Sequence, residues 1–260
     1  MNRYRQLARV TFASGMIGTG VLPLVYGYTV LAFQKAPAWV PSPQTLGVIA
    51  GLLMIVTGAG LLFERSTQAS VRVLVPFLLL WTLTRVSAPF ADPLREINWF
   101  AIGEVAVLAA AGLVLWAQDA GRGGPSRPEA ATATQVLRAA GVLFGLSVVT
   151  YGLSHFFEFR ARTISLVPAW LPFRPEWAYL TGAAQVACGL GVAFGVYARR
   201  AAAGEATLLT LFALLVWVPA VITNPRLPSN WVEGVVTAAL AGAAWVVAES
   251  IPAAGTAADG

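Results

Sequence analysis

The chain has 260 residues, 57% of them hydrophobic and only 11% charged, where a soluble domain carries about 25% charged residues; a water-facing globule is excluded, and a mean hydropathy of +0.70 points to a membrane protein. The net charge of +5 comes from Arg and Lys placed singly or in pairs between apolar runs, a topological signal rather than the clustered basic face of a nucleic-acid binder. One cysteine, Cys188, and one histidine, His155, leave no intrachain disulfide, no Cys/His zinc set and no bis-histidine haem pair, so no metal centre is expected.

A bilayer-crossing helix needs ~20 mostly apolar residues. Eight runs meet that length, at 10–33, 44–63, 73–91, 97–117, 139–157, 177–198, 206–223 and 231–248. Apolar character is continuous along each, which excludes one-faced soluble helices and the alternating strands of a membrane barrel. A backbone in lipid must satisfy its own hydrogen bonds, so the runs are read as helices. The first run is too long for a signal-peptide core and suits a retained span. The seventh begins at Ala206, which leaves Arg199 and Arg200 in the connection before it. The polar stretch from Ala120 to Pro128 reads as a flexible linker, and residues 251–260 as a tail. With the N-terminus in the cytoplasm, ten basic residues fall inside and six outside, which favours both termini cytoplasmic. Trp39 and Trp170 then anchor their loops in the outer interface, where indole is favoured.

The chain repeats itself. Pro37-Ala38-Trp39-Val40-Pro41 is followed by Gly51, Gly58 and Gly60; Val167-Pro168-Ala169-Trp170-Leu171-Pro172 is followed by Gly182, Gly189 and Gly191, at a shift of 131. At a shift of 132, Asn98-Trp99 meets Asn230-Trp231. At 125, Tyr26-Gly27 meets Tyr151-Gly152, which implies about six extra residues in the second copy between positions 157 and 168. The expected fold is therefore an all-α polytopic membrane protein of eight transmembrane helices in two four-helix repeats, 1–118 and 135–250, joined by a cytoplasmic linker at 119–134. Each copy has an even number of spans, so the two enter the membrane in the same sense and are parallel. Gly51, Gly58, Gly182 and Gly189 are read as close-approach positions between helices. No strand or basic residue adjoins them to make a phosphate loop.

The second copy carries a further pattern. Gly152-Leu153-Ser154-His155-Phe156, the Pro-Ala-Trp-Leu-Pro loop, Tyr179-Leu180-Thr181-Gly182, Gln185 and Gly189-Leu190-Gly191 together resemble the DoxX-like family of small four-span bacterial membrane proteins. Many members of that family carry an acidic residue where this chain has Gln185. The resemblance implies residence in a bacterial cytoplasmic membrane. It also implies work as a membrane subunit of a quinone-linked oxidoreductase, such as those acting on thiosulfate, or as a partner of redox-defence enzymes. A bound quinone and an oxidoreductase partner are expected on that ground, and no catalytic residue is assigned.

Ionisable groups inside spans cost ~2.5–3.5 kcal/mol on insertion scales and mark candidate sites. His155, Glu158, Glu176 and Gln185 fall in the outer half of the second repeat and are read as one outward-facing polar pocket; Val30, Phe33, Thr45 and Met54 stand at their first-copy positions. Arg85 and Glu104 lie at matching depth in the third and fourth runs and are expected to form an intramembrane ion pair, where the second copy has Trp217 and Val236. These charges are all shallow, and no polar path is seen on the cytoplasmic half. Cys188 has no neighbour in sequence that would stabilise a thiolate. Three roles stay open: a redox-linked membrane subunit, a structural or assembly protein of the envelope, and a small-solute transporter.

Overall fold

The computed structural model describes residues 3–27, 41–120 and 127–252. The loop anchor Trp39, the residue Val30 and residues 121–126 of the linker lie outside the described residues. Eleven α-helices are described: α1 (Arg3–Tyr26), α2 (Pro43–Leu61), α3 (Thr67–Arg85), α4 (Ser87–Ala91), α5 (Glu96–Ala120), α6 (Arg127–Ser154), α7 (Arg160–Leu166), α8 (Arg174–Ala193), α9 (Ala198–Phe212), α10 (Val218–Thr223) and α11 (Pro228–Ser250). There is no strand among the described residues. A π-helical turn, Ala213–Trp217, joins α9 to α10. Pro219 lies just beyond it; it lacks an N–H and pushes on the carbonyl four residues back, a known cause of such turns.

Seven helical segments are long and apolar enough to cross a membrane: Arg3–Tyr26, Pro43–Leu61, Glu64–Ala91, Glu96–Gln118, Pro128–Ser154, Ala198–Thr223 and Pro228–Ser250. The remaining run, the sixth, at 177–198, also forms a helix, α8, of 20 residues. It is less apolar than the others because it opens on Arg174-Pro175-Glu176 and holds Tyr179, Thr181 and Gln185. The apolar faces point outward: Val56, Leu80, Leu83 and Ile222 are each exposed by more than 60%. A contiguous apolar coat of that kind is stable against lipid and costly against water.

Two helices form the centre. α5 and α11 pack on each other, and in each the most apolar stretch is 67% buried, the highest share in the chain. Around them α1 packs on α11 and α2, and α3 on α2 and α5. On the other side α6 packs on α5 and α8, and α9 on α8 and α11. Exchanging α1 with α6, α2 with α8, α3 with α9 and α5 with α11 reproduces this set of neighbours.

Local contacts follow the same exchange. Asn98 Nδ2 donates to the carbonyls of Ala88 (3.3 Å) and Asp92 (3.0 Å), and Trp99 Nε1 to that of Pro93 at 2.9 Å. Asn230 Nδ2 donates to Ala220 (2.9 Å) and Asn224 (3.2 Å), and Trp231 Nε1 to Pro225 at 2.9 Å. These bonds hook the start of α5 and of α11 onto the connection before each.

The glycine contacts correct one alignment. A Cβ on Gly51 would lie 2.6 Å from the carbonyl oxygen of Gly20; one on Gly182 would lie 2.9 Å from that of Gly152. Gly20 thus stands where Gly152 stands, a shift of 132, and Gly27 does not. Gly27 has φ +67° and nothing near its Cβ position; it caps the end of α1, donating to the Pro23 carbonyl at 3.0 Å, a place that suits glycine's left-handed freedom. The Tyr-Gly match at 125 pairs a cap with a packing glycine. With Gly20 and Gly152 matched at 132 and Gly51 and Gly182 at 131, no six-residue insertion is needed between them. Pro23, not Val30, is then the counterpart of His155, since a Gly51 Cβ would meet Pro23 as a Gly182 Cβ meets His155.

Candidate functional site

The bundle has two ends. At the loop end, Arg95 pairs with Glu158 at 3.3 Å, and Arg162 on α7 pairs with Glu233 on α11. At the terminal end, Arg199 pairs with Glu249 at 3.5 Å, and Arg5 Nε donates to the Glu249 carbonyl at 3.2 Å. A line of buried polar side chains runs inward from the loop end of the second half.

It starts at His155, in the turn that ends α6. The ring is buried, and its Nδ1 lies 2.7 Å from the carbonyl oxygen of Ala178 on α8. A carbonyl only accepts, so Nδ1 carries the proton and Nε2 is left as an acceptor in the neutral ring. Burial pulls the imidazole below its usual range; the Ala178 carbonyl and the neighbouring Gln185 side chain oppose that in part. The ring stacks against Phe212 with centroids 6.4 Å apart. Phe156 and Tyr179 stack beside it, 5.7 Å apart and 11° from parallel.

α8 carries the line inward. Ala178, Gly182, Gln185 and Gly189 are its buried residues at helical spacing, so Gln185 shares the face that meets α6 and α9. Gly182 and Gly189 let that face approach closely: a Cβ there would lie 2.5 Å from His155 Cβ and from the Gly145 carbonyl oxygen respectively. In the first half Gly51 plays the same part against Gly20, and a Cβ on Gly58 would come within 3.0 Å of the Ala13 carbonyl oxygen.

The line ends at Glu205. Gln185 Nε2 donates to Glu205 Oε1 at 3.0 Å. Gln185 is 2% exposed and Glu205 0%. Among the described residues Glu205 has no ion pair. Tyr151, on α6, is also buried, and its hydroxyl lies in electrostatic range of both Glu104 and Glu205. Its ring packs on Phe100 of α5, centroids 5.2 Å apart.

Glu205 is the residue that the apolar-run reading missed. α9 begins at Ala198, earlier than the run starting at Ala206, because Arg199 and Arg200 depress the local hydropathy without breaking the helix. Glu205 therefore sits seven residues into the helix, ~10 Å along at 1.5 Å per residue, in the terminal half where no polar group was expected. The spacing of Ala202, Glu205, Ala206 and Leu209, which are the buried residues of α9, is the signal that could have found it.

The pocket of four expected from sequence is divided. His155 and Gln185 come together. Glu158 turns outward to Arg95, and its backbone N–H donates to Glu96 Oε2 at 2.6 Å. Glu176 lies exposed in the first turn of α8, and Trp170 is 70% exposed in the loop before it. Arg85 ends α3 with its guanidinium 5.5 Å from the centre of the Trp81 ring. Glu104 is half-buried on α5, which packs against α3. Among the described residues no group of His, Cys, Asp and Glu is placed to hold a metal ion.

A family model described as a domain of unknown function (DUF8561) matches residues 144–250, less than half of the chain. The match runs from the middle of α6 to the end of α11 and includes His155, Gln185 and Glu205. No curated protein and no solved structure matches the chain.

Proposed function

We propose that the chain is an eight-span protein of two parallel four-helix repeats in a bacterial cytoplasmic membrane, both termini inside. In this reading it serves as the membrane subunit or partner of a quinone-linked redox system and brings no redox centre of its own. The repeat reading is supported by the exchange of helix neighbours and by the matched Asn98-Trp99 and Asn230-Trp231 hooks. The functional reading rests on one observation, the buried line from His155 through Gln185 to Glu205. Ionisable groups inside a membrane are costly and by default functional. A quinone head needs hydrogen-bond partners at its oxygens and a route for protons, while its tail stays in lipid.

The surroundings suit such a ligand. The Phe156–Tyr179 stack and the Phe212 ring offer flat apolar walls beside His155. The Ala198–Thr223 span is the least buried of the seven, at 17%, so a lipid-soluble molecule can reach its flank from the bilayer. Electrons would come from a partner oxidoreductase.

Native mass spectrometry of the protein gently extracted from its own membranes, compared with His155→Ala, tests this. A quinone-sized ligand or a co-extracted oxidoreductase, lost in the variant, is the expected result. A chain carrying only lipid, unchanged by the substitution, refutes it. That outcome favours a structural or assembly role, to which the close glycine packing of α6 on α8 already lends support. Uptake of a small solute by proteoliposomes, abolished by Glu205→Gln, would instead make the chain a transporter.

A further inference from the structure

Three buried polar atoms at the inner end of the line have no hydrogen-bond partner: Glu205 Oε2, Gln185 Oε1 and Tyr151 Oη. They come from α9, α8 and α6, and their residues are at most 4% exposed. Gln185 Nε2 donates to Glu205 Oε1 at 3.0 Å, so the two free oxygens belong to heads already in contact. Tyr151 brings the third oxygen within electrostatic range of the carboxyl. An unsatisfied buried polar atom costs ~1–3 kcal/mol, and a charged one more.

The charges around Glu205 do not balance it. Three described arginines at the two ends are engaged elsewhere, Arg95 with Glu158, Arg162 with Glu233 and Arg199 with Glu249, and Arg200, on α9 itself, lies over the Tyr197 ring at 5.8 Å. The titratable groups that face the site are Cys188 on α8, beside the Glu205 backbone, Tyr151 on α6, His155 beyond Gln185, and Glu104 on α5 across from Tyr151. From α11 there are only Glu233 and Glu249, near its two ends. None of these brings a fixed positive charge. The site lacks one unit of positive charge and a group that satisfies three oxygens. A divalent ion does not fit: it would leave net positive charge in an apolar interior, and it takes more oxygen ligands than these side chains supply.

We infer that Glu205, Gln185 and Tyr151 form a binding site for one exchangeable monovalent cation, either a proton carried on the Glu205 carboxyl or an alkali ion held by the same oxygens. Exchange is charge-neutral: an entering alkali ion displaces the carboxyl proton to solution, and a returning proton displaces the ion. The inference does not rest on the quinone reading, because it needs no redox partner and no lipid-soluble ligand.

The test uses the full chain in lipid nanodiscs. Thermal unfolding followed by tryptophan fluorescence is measured against Na⁺ and K⁺, with choline at equal ionic strength as control, across neutral pH. Infrared difference spectra between acid and alkaline pH report the C=O stretch of a protonated carboxyl. Two results support the site. Alkali ions raise the unfolding temperature, with a half-maximal concentration that falls about tenfold for each unit of rising pH, as competition with one proton requires; or, without an alkali effect, acidification brings up the carboxyl C=O band. Either signal is lost in Glu205→Gln. Tyr151→Phe, which keeps the ring and its packing, displaces the midpoint, and it carries the test if Glu205→Gln does not fold. A signal that survives Glu205→Gln, a midpoint unmoved by Tyr151→Phe, or a carboxyl band present at every pH with no cation response overturns the inference.

Discussion

Gly182→Ala is the sharpest probe of how the site is held. A Cβ there would lie 2.5 Å from His155 Cβ, 2.8 Å from His155 Cγ and 2.9 Å from the Gly152 carbonyl oxygen. Carbon contacts are comfortable at ~3.5–4.0 Å, so α6 and α8 must separate by about 1 Å. One obstacle is backbone and another is the root of a buried ring, and neither can swing aside. Overpacking of this kind costs ~1–3 kcal/mol. The better helix propensity of alanine returns at most ~1 kcal/mol. The expected net loss is about 1–2 kcal/mol, a fall in unfolding temperature of about 2–8 °C for a chain of this size. Gly141→Ala is the control: it lies on α6 with nothing within 4 Å of its Cβ position, so it should gain ~0.5–1 kcal/mol. Thermal unfolding of both in nanodiscs decides the matter. If Gly182→Ala is as stable as Gly141→Ala, the two helices do not meet at Gly182 and the geometry argued for His155 fails with them.

Three further outcomes can be stated. Trp99→Phe and Trp231→Phe each delete one indole bond of 2.9 Å and should cost ~0.5–1.5 kcal/mol; unequal losses in thermal unfolding would count against equivalent roles for the two hooks. The His155 imidazole is held below its usual range by burial, so between the folded value and the unfolded value of about 6.5 the unfolded chain binds more protons. Stability should therefore fall as pH drops through and below that unfolded value, and the difference between wild type and His155→Gln should show the slope; a rise on acidification would reverse the sign and refute the burial. Arg95→Gln breaks an ion pair whose side chains are 58% and 38% exposed, so it should cost less than ~1 kcal/mol, with the loss vanishing in high salt; a larger, salt-independent loss would mean that the pair is buried in an assembly.

The helices were legible because lipid forces a local rule on every span: apolar length and self-satisfied backbone can be read residue by residue. Gly51, Gly58, Gly182 and Gly189 could be picked out by recurrence alone, and each lies where two backbones approach. Glu205 was hidden for the opposite reason. Its burial is set by α8 and α11, on which α9 packs, and an apolar window cannot register a carboxyl protected by other helices. Two arginines one turn earlier completed the disguise. α8 itself is less apolar than its neighbours because one of its faces meets polar side chains rather than lipid. The register of α1 failed on composition: a helix with Gly15, Gly18 and Gly20 and a further glycine, Gly27, just past its end offers several glycines to match, and only contact distances separate a packing glycine from a cap.

The packing of the two halves is alike, and their polar chemistry is not. At the register that the contacts define, Pro23 stands for His155, Thr19 for Tyr151, Met54 for Gln185 and the buried Leu74 for Glu205. Thr19 is buried but spends its hydroxyl on the Gly15 carbonyl of its own helix, at 2.8 Å, and Met54 is fully buried without a hydrogen-bonding group. The first half therefore keeps the same close helix contacts with none of the polar line. If those contacts needed buried polar groups for their geometry, both halves would carry them. That one half folds into the same arrangement without them separates the polar line from the demands of packing. It is the strongest physical ground for giving His155, Gln185 and Glu205 a task other than holding helices together.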